Sequence, residues 1–324
     1  MERRKFVALL GSALALPPVA LAQERGKVHR VAFLALNAPQ TFSHLVAALL
    51  EGLRELGYTE GRNLIFDVRH ADGKPERLPQ VARELVASKP DVIVTGINVQ
   101  TQAAKQATRT IPIVMAVGTG VVEEGIVASL ARPGGNVTGV TWDVGLEVMP
   151  KRFDFLKEAV PRLSRVAVLW DQGQDAAEFK RAIEHGGAAA RVTLIWIDYN
   201  DDLEEMFRAA VRAKAQAVFT AGGARFFRHR KAIVELATKY RLPDTHYAGE
   251  FVEAGALMSY APNLPNLLKR AAVYVDKILR GANPAELPVE RPIRLDLLIN
   301  LKTARSLGLT IPQSLLLRAD RVIE

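Results

Sequence analysis

The chain has 324 residues, 49% of them apolar and 24% charged, with no cysteine and a formal charge of +8. That length exceeds what one hydrophobic core usually supports, and the composition excludes a disordered chain, a multispanning membrane protein and a disulfide-stapled scaffold. The positive charge is dispersed among acidic residues, which argues against a nucleic-acid partner.

Residues 1–22 are expected to be a cleaved export signal. MERRKFVALLGSALALPPVALA opens with Arg3, Arg4 and Lys5, continues through a short apolar stretch broken by Pro17 and Pro18, and closes on the small-x-small site Ala20-Leu21-Ala22. The stretch is short for a bilayer span. Arg3-Arg4 followed by Lys5-Phe6-Val7 also resembles a twin-arginine signal. Cleavage removes three basic residues and one acidic residue and leaves +6. With no cysteine to carry a lipid, the mature chain is expected to be a soluble, monomeric periplasmic protein with no stable membrane insertion.

Periodicity then gives alternating strands and helices. Arg30–Leu36 reads as a buried strand and Thr41–Leu56 as an amphipathic helix stopped by Gly57. Strand Asn63–Arg69, helix Glu76–Ser88, strand Asp91–Thr95, helix Val99–Thr108 and strand Ile111–Ala116 follow. Helix Val122–Ala131 is expected next, closed by Pro133-Gly134-Gly135, and then strand Val137–Thr141. From here the chain starts over. Helix Leu146–Val160 leads to strand Arg165–Trp170, whose RVAVLW repeats the RVAFLA of Arg30–Ala35. Helix Glu178–Ala190, strand Val192–Ile197, helix Leu203–Lys214, strand Gln216–Thr220, helix Ala224–Tyr240 and a strand near Asp244–Ala248 complete the second pass. The basic run Arg225–Lys231 is expected on the solvated face of its helix, with Phe226, Phe227 and Ile233 turned inward. Strand Ala256–Ala261, a long helix Asn263–Gly281, strand-like Ile293–Asn300, short helices at Leu301–Leu307 and Gln313–Arg318, and a final Val322-Ile323 form a tail. This tail is expected to cross between the halves and complete both sheets.

Strands joined by helices of this length make parallel sheets with right-handed crossovers. The fold class is therefore α/β: two doubly wound parallel-sheet lobes joined by hinge strands near Thr141–Asp143 and Ala256–Ala261. The expected division is residues 28–141 plus about 257–284 in the first lobe and 142–256 plus about 285–324 in the second.

In open parallel sheets ligands sit beyond the carboxyl ends of strands, where helix N-termini present free amides. Two lobes facing each other across those ends make a cleft. Candidate ligand contacts are Asn37, Gln40, Thr41, Thr95, Gly96, Asn98, Gly118 and Thr119 from the first lobe. Asp171, Gly222, Gly223 and Glu250 come from the second, with Trp142 and Trp170 flanking the cleft. Taken singly, Asn37, Thr41 and Asn98 could cap helices, Gly222-Gly223 could be a turn, and both tryptophans could be core. Catalytic signatures are missing: there is no GxSxG elbow, P-loop or HExxH, and the six histidines have no local ligand spacing. The cleft reads as built to bind, without enzyme activity, metal or cofactor.

Several stretches carry a family resemblance: GLRELGYTEGRNL (52–64), AAKQATRTIPIVMAV (103–117), ASLARPGGNVTG (128–139), RLPDTHYAGEFVEAGALMSYAPN (241–263) and the segment from Ala271 to Glu324. They resemble the solute-binding proteins of ABC importers typified by tryptophan and related amino-acid binding proteins. The resemblance implies the type I periplasmic-binding-protein fold and a ligand enclosed on closure. Its partners would be a small solute, such as an amino acid or small organic molecule, and the permease subunits of an ABC transporter. Thr119-Gly120 stands where family members commonly carry Asp-Pro, and Ser259-Tyr260-Ala261 replaces Ser-Tyr-Gly. A carboxylate for an amino-acid ammonium would then come from Asp171 or Glu250. The rival within this fold is a periplasmic component presenting ligand to a receptor or histidine kinase.

Overall fold

RVAFLA is the core of strand β1 (His29–Ala35), whose last five residues are buried. A run this apolar needs cover on both faces, as a central parallel strand has. β1 pairs in parallel with β2 (Leu64–His70) on one side and β3 (Val92–Thr95) on the other. β4 (Ile113–Gly118) and β5 (Val137–Thr141) complete a five-stranded sheet in the order β2-β1-β3-β4-β5. Helices α1 (Pro39–Glu55), α2 (Leu78–Ala87) and α3 (Asn98–Ala107) make the crossovers. The computed structural model describes residues 27–145, 148–171 and 177–324; the expected leader lies outside them.

The second lobe repeats the order. β6 (Arg165–Trp170) stands between β7 (Thr193–Asp198) and β8 (Ala217–Thr220), and β9 (Asp244–His246) and β10 (Met258–Ala261) follow. Thus β7-β6-β8-β9-β10 reproduces β2-β1-β3-β4-β5. Helices α4 (Val148–Ala159) and α5 (Ala177–Ala189) cover one face. The other is covered by α6 (Leu203–Arg212), α7 (Ala224–Arg228), α8 (Arg230–Lys239) and α9 (Gly249–Glu253). The tail adds β11 (Asp296–Asn300), antiparallel to β10, and β12 (Arg321–Ile323), parallel to β11. Two short helices, α11 (Leu301–Ser306) and α12 (Gln313–Leu316), lie between them.

Four expectations need correction. Val122–Ala131 is not a helix. Gly125 takes a left-handed φ of 65°, and the N–H groups of Ile126 and Val127 both turn back to the Val121 carbonyl, so the segment coils in place while Val121, Ile126 and Val127 stay buried. Ala224–Tyr240 is broken at His229 into α7 and α8. A one-turn helix, α9, follows β9 where none was expected. Finally, the tail gives strands to one sheet alone: the first sheet gains only an isolated bridge between Val140 and Glu290.

The lobe boundaries also shift. β10 is an integral strand of the second sheet, so residues 258–261 do not belong to the first lobe. The chain leaves that sheet after Ala261, and α10 (Leu264–Leu279) packs on α1, β3, β4 and β5 of the first lobe. It stays there through Glu290: the Thr138 hydroxyl donates to the Leu287 carbonyl at 2.7 Å, and Thr141 N–H donates to the Glu290 carbonyl at 2.8 Å. It re-enters the second sheet at Asp296. Among the described residues, three stretches therefore run between the lobes: 142–145, 262–263 and 291–295.

Candidate functional site

Groups just beyond the carboxyl ends of the two sheets meet each other. Trp142 follows β5 and Tyr247 follows β9; their rings lie edge to face at 6.4 Å. His44, on α1, brings Nε2 to 3.6 Å from Glu250 Oε1 on α9. Arg228 on α7 donates to the Gly73 carbonyl beyond β2 at 3.4 Å. These contacts set the carboxyl ends of the two sheets facing each other, and the space they border is the candidate crevice, with walls from both lobes.

The second-lobe wall is polar, with buried carboxylates and a buried phenol beneath the exposed Arg225 guanidinium. Asp171, the residue after β6, is 5% exposed. It accepts both Nε (2.9 Å) and Nη2 of Arg225, which opens α7 after β8, the strand beside β6. This two-pronged pairing raises the Arg225 pKa, and the guanidinium lies 4.5 Å above the Tyr199 ring. Tyr247 donates its hydroxyl to the Gly223 carbonyl at 2.6 Å. Burial, then the carboxylates of Glu250 and Asp171, push that phenol well above its ordinary pKa, so it is a neutral donor. Glu250 is 7% exposed at the start of α9.

The first-lobe wall is held by its own loops. Asn98 fixes the loop after β4 from both sides: its side-chain amide donates to the Thr119 carbonyl, and Thr119 N–H donates to Asn98 Oδ1 at 3.0 Å. Asn98 is the first residue of α3, and the cap position before it is Ile97. The Thr95 hydroxyl is 2.7 Å from that of Thr101. Both side chains thus shape the wall through the fold. Asn98→Ala is expected to cost about 2 kcal/mol, one net hydrogen bond on each side of the clamp, read as a lower urea midpoint with the m-value unchanged.

Among the other candidates, Asn37 does not cap α1, whose cap position is Ala38; its carbonyl lies 2.8 Å from His70 Nδ1. Gln40 and Thr41 fall in the first turn of α1, and their side chains lie outside the described set. A Cβ on Gly96 or Gly118 would come 2.7 Å from Gln100 Oε1 or 2.2 Å from Met115 Sδ, so a neighbouring side chain would have to move to admit it. Thr119 is exposed and Gly222 buried. Trp170 is the clear correction. It packs against Trp196 (5.4 Å) and Phe179 (6.1 Å) on the α4–α5 face, in the core of the second lobe.

Sequence reasoning missed His44, Asp143, Arg225 and Tyr247 as crevice groups. Strand adjacency would have found two of them, because β6, β8 and β9 are consecutive neighbours and their first loop residues converge. Asp143 accepts the Gly120 N–H with both carboxylate oxygens at 3.1 Å. Burial nevertheless raises its pKa above the ordinary 3.8. The folded protein then holds this proton more tightly than the unfolded chain does, so Asp143's contribution to stability is greatest below 3.8 and is lost as pH rises through its folded value. Asp143→Asn is expected to remove that slope, visible as wild-type and variant urea midpoints diverging with pH across that window.

Among the described residues no cluster of three or more His, Cys, Asp or Glu side chains could hold a metal ion, and no helix is long and apolar enough to cross a membrane. Comparison with known proteins converges on one family. Residues 31–323 match the family model described as ABC transporter substrate binding protein. A tyrosine-binding protein of Clostridioides difficile (strain R20291) is 23% identical over 263 residues, 80% of this chain and 75% of that one. Among solved structures, a conserved domain protein from Vibrio cholerae superposes with a TM-score of 0.83 at 29% identity, covering 91% of this chain and all of the other. A Streptococcus pneumoniae domain in complex with L-tryptophan gives 0.81 at 24%, covering 92% of this chain and all of the other. The two-lobe architecture is that of a type I periplasmic binding protein. The chain belongs to the ABC transporter substrate-binding protein family.

Proposed function

We propose that this protein captures a small solute bearing a planar group and a cationic group in the crevice, by closure of the lobes, and delivers it to an ABC permease from the periplasm. The observation that carries this reading is the crevice itself, where the Trp142 and Tyr247 rings stand beside the buried carboxylates of Asp171 and Glu250. Flat apolar walls with a few fixed polar groups select an orientation as well as a shape. Enclosure makes each polar contact count, because a buried group left without its partner is costly.

Aromatic amino acids head the list of solutes. They combine a ring for Trp142 and Tyr247 with an ammonium for Glu250 or Asp171. The relatives named for tyrosine binding and bound to L-tryptophan point the same way. Thr119-Gly120 contributes no carboxylate and Asp143 is engaged by the Gly120 N–H, so the charge contacts fall to the second lobe, with Gly223 allowing close approach beside Asp171. Closure has to be driven by solute contacts made only in the closed form, and reversing a 1:99 preference takes about 5.5 kcal/mol.

The test is a thermal-shift screen of the chain lacking residues 1–22 against aromatic amino acids, aromatic acids, aliphatic amino acids and sugars. A true solute raises the melting temperature in step with its concentration. If another class shifts it and the aromatic amino acids do not, the planar-cationic assignment is wrong. If no class shifts it, solute capture is wrong. Uptake of the identified solute by cells lacking this protein checks delivery.

A further inference from the structure

Among the described residues five buried side-chain polar atoms have no hydrogen-bond partner, and three of them stand together: Thr220 Oγ1, His246 Nδ1 and Ser259 Oγ. The strand register explains why. β9 and β10 pair with His246 opposite Ser259. β8 and β9 pair Val218 with Asp244 and Phe219 with Thr245, and one further step sets Thr220 beside His246. The three residues form a row across adjacent strands. Alternation gives them one face: Val218 belongs to the cluster under α6–α8, whereas Phe219 and Met258 belong to the opposite cluster. None is more than 1% exposed.

The row has a defined polarity. His246 Nε2 lies 2.8 Å from Asp244 Oδ2, and the second oxygen of Asp244 accepts the Leu257 N–H at 2.7 Å. A carboxylate facing Nε2 places the proton of a neutral ring there and leaves Nδ1 as a bare acceptor. On either side stands a hydroxyl that can donate or accept. Neighbouring strands lie about 4.8 Å apart, a spacing that suits one oxygen placed between side chains of the row. Phe251 of α9 stacks on the His246 ring at 4.2 Å with the planes 9° apart, so the row is roofed on the helix side.

We propose that Thr220, His246 and Ser259 bind one internal water molecule, which donates to His246 Nδ1 and exchanges hydrogen bonds with the two hydroxyls. Three convergent partners are the usual complement of a buried water. The three residues all belong to the second-lobe sheet and are at most 1% exposed, so the occupant we assign is water whichever solute the protein carries. α9, which carries Glu250, packs directly on β9, β10 and β11 above it.

Two measurements test this. A crystal structure of the protein at a resolution that shows ordered water is expected to contain an isolated oxygen within about 3.2 Å of at least two of the three atoms. A direct Ser259–His246 hydrogen bond with no third oxygen, or a solute atom in that place, would overturn the proposal. The second measurement turns on a sign. If the hydroxyls were truly unpartnered, Thr220→Val and Ser259→Ala would each remove a buried polar group and raise the melting temperature. If they hold a water, each variant strands it and lowers the melting temperature by about 2–4 °C. A rise in both variants sinks the proposal. Should neither variant fold, the wild-type crystal structure still decides.

Discussion

Gly139→Ala is expected to abolish stable folding of the first lobe. Gly139 lies in β5 opposite Met115, where the β4–β5 register slips between Met115 and Gly118. Its φ is +133°, which side-chain-bearing residues rarely adopt. A Cβ there would stand 2.0 Å from the Met115 carbonyl oxygen and 2.7 Å from its nitrogen. Both obstacles are backbone atoms inside the parallel β4–β5 pair, so no side chain can swing aside to relieve the clash. The cost is at least about 4 kcal/mol, in the range where a single substitution unfolds a marginal domain. Gly135→Ala is the control, because a Cβ there meets nothing within 4 Å. Soluble yield and urea unfolding of the two variants should separate sharply. A Gly139→Ala protein as stable as Gly135→Ala would mean that the irregularity between β4 and β5 is wrongly drawn.

Trp142→Ala is expected to weaken solute binding by about thirtyfold, the roughly 2 kcal/mol that a buried aromatic anchor contributes. Its melting temperature without solute should change far less than its affinity. Trp142 is half-buried, and its N–H donates to the Gly118 carbonyl at 2.6 Å through a bond that survives the substitution. The matched comparison is Trp170→Phe. Trp170 is packed between Trp196 and Phe179, so shortening it should lower stability while leaving affinity close to wild type. Isothermal titration on both variants with the solute found in the screen separates the two roles. Equal affinity losses would mean that neither ring is a wall of the crevice in the sense proposed.

The two lobes could be read from the chain because their signal is local. Buried parallel strands announce themselves as apolar runs, and RVAFLA and RVAVLW occupy the same interior place, one strand in from the edge, in their sheets. What was illegible depended on partners far away in sequence. The 122–131 segment has helix-like apolar spacing, but its one glycine, Gly125, turns it back on itself, and Ile126 and Val127 are buried all the same. α9 is too short to show a period. Trp142 and Trp170 each follow or end a strand and look alike in the sequence, but side-chain alternation sends Trp170 into the α4–α5 layer. The crevice charges were harder still, since Asp171 meets Arg225 only because β6 and β8 are neighbours in the sheet order. The loops were visible in the sequence; which side chains close them on one another was not.

The three bridging segments have a mechanical consequence. Two of them run side by side at the first lobe, where Val140 sits against Glu290. Two run side by side at the second, where Ala261 is paired with Asp296. Bodies strapped together by three adjacent short ties can fold like a book but resist swivelling or sliding. The closure proposed above would then bring the same pages into register, His44 toward Glu250 and Arg228 toward Gly73. A solute of the wrong shape would meet a jaw that cannot shift sideways to admit it.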